Sequence, residues 1–83
     1  MSAKPAAEDL ESALRAAGQA HHDYQHNFLN GEPDKHWAGW YAAYVLGRLG
    51  DFTSPTSLAG WLAEAPSEED WAPAAARHVM QQL

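Results

Sequence analysis

The sequence predicts an all-α fold, a small irregular bundle of about four helices, and three observations carry that expectation. Apolar residues recur at spacings of three and four over long stretches, which is the period of a buried stripe on a helix. Each stretch is bounded by residues that start or stop helices. No stretch alternates apolar and polar residues for long enough to read as a strand.

The first helix is expected to begin near Pro5, which suits a first helical turn, with Glu8, Asp9 and Glu11 at the positive end of the helix dipole. Leu10, Leu14, Ala17, His21, Tyr24 and Phe28 then form one stripe facing inward. Asn30 and Gly31 are the stop, Gly31 being free to take a left-handed conformation. After Glu32 and Pro33, the Asp34 carboxylate is placed to accept from the open amides of the next turn, so a second helix is expected from about Lys35. Trp37, Trp40, Tyr41, Tyr44 and Val45 cover one broad face of it, with Ala42, Leu46 and Leu49 alongside. This helix is expected at the centre of the fold, within a core rich in tryptophan and tyrosine, and Gly50 ends it.

Thr53 and Ser54 before Pro55 read as a cap and a first-turn proline, followed by the stripe Leu58, Trp61, Leu62 and Ala65 of a short third helix that Pro66 closes. Ser67, Glu68, Glu69 and Asp70 read as another capped, acidic start. Pro73 would remove a hydrogen bond from a helix already under way. A separate turn over Ser67 to Trp71 is therefore expected, with the regular helix from about Ala72 and with Trp71, Ala75, His78, Val79 and Leu83 inward. Gly39, Gly47 and Gly60 fall inside helical patterns and read as points of close helix approach.

The chain has 83 residues, enough for a single domain over 1–83, with 1–4 expected to be disordered. With no cysteine, neither a disulfide framework nor a thiolate metal site is available. The net charge of -6, with five dispersed basic residues, disfavours nucleic acid and anionic membrane surfaces as partners. The opening residues lack the basic-then-apolar order of a signal peptide, so the bacterial cytoplasm is the expected compartment.

Two clusters invite a functional reading. His22 and His26 stand four apart on one helical face, and His36 or Asp23 could complete a site for a divalent metal. The bland alternative is that these are solvated polar residues. His21, by contrast, lies on the inward stripe beside Tyr24 and opposite the rings of the second helix. A buried histidine needs a partner, and a tyrosine hydroxyl or a backbone carbonyl is the expected one. Trp37, Trp40, Tyr41 and Tyr44 crowd two turns, more rings than one face of a small bundle commonly needs, and Trp and Tyr are also what pockets and interfaces prefer. No serine has a histidine beside it, and no glycines cradle a phosphate, so neither serine hydrolysis nor a nucleotide site is supported.

The stretch from Ala20 to Tyr44, with Gly31-Glu32-Pro33-Asp34 and then Trp37-Ala38-Gly39-Trp40-Tyr41-Ala42-Ala43-Tyr44, resembles a short helical segment of bacterial proteins. That segment occurs alone or appended to glyoxalase and bleomycin-resistance-like domains. The distinctive part is the run of Asp34, Trp37, Trp40, Tyr41, Ala42 and Tyr44. Where relatives of this kind carry a His-x-x-His-Glu pattern, His21 matches the first position, while Tyr24 and Gln25 replace the second His and the Glu. The resemblance implies a helical module and no catalytic role.

The leading expectation is a non-catalytic module that binds a protein or a small organic ligand through His21, Tyr24, Trp37, Trp40, Tyr41 and Tyr44. The alternative, from a different class, is a histidine and carboxylate site for a metal or small molecule formed by His21, His22, His26 and His36, with His22, His26 and His36 as the metal ligands and weak enzymatic activity as its possible outcome. A homodimer that buries the rings is a third.

Overall fold

The computed structural model describes residues 4–66 and 70–83. It contains four helices and, among the described residues, no strand: α1 (Ala7–Phe28), α2 (Trp37–Leu49), α3 (Pro55–Glu64) and α4 (Trp71–Gln82). The expected disorder of residues 1–3 and the expected cap at Ser67 to Glu69 lie outside the described residues. No described helix is long and apolar enough to cross a membrane.

Local chemistry sets most of the boundaries. Pro5 stands before α1 and not in its first turn; the helix opens at Ala6, whose carbonyl accepts from the Leu10 amide. At the other end Asn30 and Gly31 both take positive φ, 53° and 79°, and the amides of Leu29 and Gly31 both return to the Gln25 carbonyl. The Gln25 side chain adds a 2.8 Å bond to the Glu32 carbonyl, so one residue ties down the whole turn. Gly50, with φ 95°, ends α2. Ser54 caps α3 by accepting from the Ser57 amide at 3.1 Å, with Pro55 at the first helical position.

Pro73 requires no break. α4 starts at Trp71, so the proline is its third residue, where the missing amide hydrogen would have had no intrahelical acceptor.

The helices pack in a closed circle: α1 and α3 each lie against both α2 and α4. α2 is thus one wall of four and not the centre. The interior is aliphatic: Leu10, Leu14, Val45, Leu58, Leu62 and Val79 are its largest fully buried side chains. Each contributes about 1.5–3 kcal/mol by leaving water. Between them lie Ala13, Ala17, Ala42, Ala72, Ala75 and Ala76, all buried.

The expected ring-rich core is corrected by this arrangement, since no Trp, Tyr or Phe is fully buried. Instead Trp37, Tyr41, Tyr44, Phe52, Trp61 and Trp71 are partly buried and pack against the aliphatic core from its edges. Two further corrections follow the same boundary. Phe28, expected inward, is 75% exposed, because it is the last residue of α1 and the chain turns away before α2 begins. Leu83, beyond the end of α4, is also exposed. His78 is half-buried, with its Nε2 shielded and unpartnered among the described residues.

The glycines also differ from expectation. A Cβ at Gly39, Gly47 or Gly60 would meet nothing within 4 Å, so these do not mark close approach. Gly18, which drew no attention, is the closer fit: its Cβ would lie 3.5 Å from the Tyr41 hydroxyl. Gly47→Ala and Gly60→Ala are therefore each expected to stabilise the fold by about 0.5–1 kcal/mol. On a domain of this size that raises Tm by roughly 2–8 °C per substitution in thermal unfolding. Gly31→Ala, at positive φ, is expected to lower Tm; a rise there or a fall at Gly47 and Gly60 contradicts the assignment.

Candidate functional site

The site is built where α1, α2 and the start of α4 meet. Asp34, in the turn before α2, uses both carboxylate oxygens: Oδ1 accepts from the His36 amide at 2.9 Å, and Oδ2 lies 2.8 Å from His21 Nε2. The first bond makes a turn ahead of α2, which starts at Trp37 and not at about Lys35 as expected, with His36 as its N-cap and no side-chain cap. The second corrects the expected partner of His21, which is neither a tyrosine hydroxyl nor a backbone carbonyl but a carboxylate thirteen residues away. An ionised carboxylate can only accept, so Nε2 carries the proton in this pair. The hydrogen bond from His21, and then the one from the His36 amide, hold the Asp34 carboxyl below the ordinary carboxylate range.

His21 is 7% exposed and sits among three rings, with centroids 5.0 Å from Trp40, 5.3 Å from Tyr41 and 6.0 Å from Tyr24. From this hub two ring arrays extend. One is a ladder along the outer face of α1 and α2, Phe28 on Tyr24, Tyr24 on Trp40 and Trp40 on Tyr44. Its centroid spacings are 5.6, 5.6 and 5.7 Å, with planes inclined by 31°, 29° and 14°. The other is a triangle of edge-to-face contacts in which Trp37 and Tyr41 of α2 meet Trp71 of α4, at 5.4, 5.9 and 5.7 Å. Such pairs add about 0.5–1.5 kcal/mol each beyond the area they bury. The triangle is also how α4 is joined to α2 across the circle.

Beside the triangle runs a groove of about 590 Å³ between α1 and the start of α4. Its floor is apolar: Leu14, Tyr41, Trp71 and Ala72. Its rim is polar and exposed, with Arg15, Gln19, His22 and Asp23 on α1 and Asp70 facing them. The Tyr41 hydroxyl approaches α1 beside Gly18, where an added Cβ would lie in ordinary contact at 3.5 Å. Burial pushes the Tyr41 hydroxyl above its ordinary pKa, so it stays protonated and can donate. Arg15 is held by Asp70 at 3.2 Å and Glu11 at 3.4 Å, and the Asp70 bond, followed by the charge of Asp70 and the Glu11 pair, raises its pKa. Because all three groups are well exposed, this pairing orients the guanidinium more than it stabilises the fold.

Of the residues expected at a ligand site, His21, Tyr24, Trp37, Trp40, Tyr41 and Tyr44 all belong to one connected ring network. Only Tyr41 among them lines the groove. Trp71, Gly18 and Arg15 were not expected there; the i, i+4 spacing of Arg15, Gln19 and Asp23 was the available sign of a shared face, but nothing local connects it to α4. His22 and His26 share a separate depression of about 200 Å³ with Gln25 and Gly31, and His36 does not line it. Among the described residues no three His, Cys, Asp or Glu side chains are grouped to hold a metal ion.

No known protein family, curated protein or solved structure matches the chain.

The Asp34 carboxyl generates a pH prediction. With its folded pKa below the unfolded value of about 3.9, it stabilises the fold above that value and ceases to do so as pH falls through the folded pKa. Wild type is expected to have a higher Tm than Asp34→Asn at pH 6, and the difference is expected to shrink below about pH 4. A difference that is constant with pH, or that grows on acidification, contradicts the pairing.

Proposed function

We propose that the protein is a non-catalytic binding module that seats a small organic ligand in the groove beside Tyr41. The observation that carries this reading is the groove itself. About 590 Å³ is the size of small-ligand sites, and an apolar floor under a few convergent polar groups is their usual chemistry. The Tyr41 hydroxyl donor and the Trp71 indole supply directional contacts at that floor. The regular helix α1 spaces four of the rim side chains, and the start of α4 places Asp70 opposite them.

Several features support binding over catalysis. The His21 and Asp34 pair does not line the groove, so its proton is not presented to a ligand seated there. The groove's own ionisable groups sit on an exposed rim. Neither a nucleophile with an adjacent base nor a metal ligand set stands over the floor.

A panel of monocyclic aromatic fragments of mixed charge, followed by amide and indole N–H resonances, tests the reading. Hits are expected to move Gly18, Tyr41 and Trp71. Gln19→Trp fills the groove from an exposed rim position, and it is expected to weaken those hits by about tenfold or more with the helical circular dichroism unchanged. Shifts confined to Tyr24, Phe28 and Tyr44 would instead make the half-buried ring ladder and its exposed end at Phe28 the binding face, as a protein partner or a second copy of the chain requires. The groove reading would then fail.

A further inference from the structure

We infer that the groove selects an organic cation, an ammonium or comparable charged head on an apolar body about the size of one ring. This rests on the reading of the groove as a ligand site and assigns the chemical class that site accepts.

The argument starts from the charges on the rim. Arg15 is the only Lys or Arg lining the groove, and its guanidinium Nη2 is already engaged by two carboxylates, Asp70 at 3.2 Å and Glu11 at 3.4 Å. A carboxylate or phosphate ligand would have to approach Arg15 beside two carboxylates that already offset its charge. It would also enter a field made more negative by Asp23 and by the net charge of -6 on the whole chain. Asp23 lines the groove on the turn after Gln19 and has no ion-pair partner among the described residues. A cation meets the opposite balance, since Asp23 is open to it and Asp70 can be shared with Arg15.

The floor completes the recognition. Tyr41 and Trp71 meet edge to face at 89°, so they present rings in two orientations to whatever lies in the groove. The negative face of an indole or phenol attracts an ammonium group, most strongly where water is partly excluded. Leu14 and Ala72 offer the remaining floor to an apolar body. Aromatic faces under a rim with surplus carboxylates match a cation; a neutral ligand leaves Asp23 unused, and an anion opposes it.

The test is titration of the full chain, at pH 7 and low salt, with phenylpropylammonium, phenylpropanol and phenylpropionate, which share a body and differ in the charge of the head. Amide and indole resonances are the readout. The ammonium is expected to bind at least about tenfold more tightly than the alcohol, shifting Gly18, Asp23 and the Trp71 indole, and the propionate more weakly still. Asp23→Asn, at an exposed position, is expected to cut the preference for the ammonium over the alcohol by about threefold or more. If the alcohol or the propionate binds as tightly as the ammonium at those resonances, the cation assignment is overturned and the groove stands as a site of another class. If none of the three moves a groove resonance, the groove reading falls with it.

Discussion

The structure depends on one bifunctional carboxylate. Asp34 must stand where its Oδ1 can receive the His36 amide and its Oδ2 can receive His21, and both conditions are met at under 3 Å. The first holds the turn that leads into α2. The second fixes its rotation about α1, because His21 lies deep between Tyr24, Trp40 and Tyr41 and can reach Asp34 only with those rings in place. A buried imidazole without a partner is costly, so the ring cluster and the turn enforce each other.

From that junction the division of labour between side chains becomes clear. Aliphatic groups and alanines fill the interior, and the rings pack against it partly buried at its edges. On one side they stack into a ladder that ends at exposed Phe28; on the other they gather around Trp71 and wall the groove. The polar rim comes from α1, whose exposed positions Arg15, Gln19 and Asp23 follow at helical spacing, and from Asp70 facing it. The floor shares Leu14 and Ala72 with the core, whereas the rim positions are exposed, so the rim can be changed without disturbing the core.

Much of this was legible in the sequence, and the reasons are local. Ser54 with Pro55, Gly50 and the Asn30-Gly31 pair each act within one turn, so their effect on helix ends follows from neighbouring residues alone. The stripe Leu10, Leu14, Ala17 and His21 was equally readable, since a regular period implies a face. What remained hidden depends on contacts across the fold. His21 had several candidate partners at sequence level, and only the path of the turn selects Asp34. Phe28 continues the period of its helix but has no helix opposite it, a fact about where α2 starts. Trp71 joins Tyr41 from thirty residues away, and the groove exists only because they meet. The alanine faces carried the clue to the aliphatic interior, outweighed in reading by the conspicuous tryptophans.

The central claim, that the His21 and Asp34 pair acts as a unit to set α2 against α1, is tested most directly by a double-mutant cycle. Thermal unfolding of His21→Ala, Asp34→Ala and the double variant at pH 6 separates the shared contribution from the individual ones. The pairing predicts that the second substitution costs clearly less stability in the background of the first than it does alone. Losses that simply add would show the two side chains acting independently and would contradict the account.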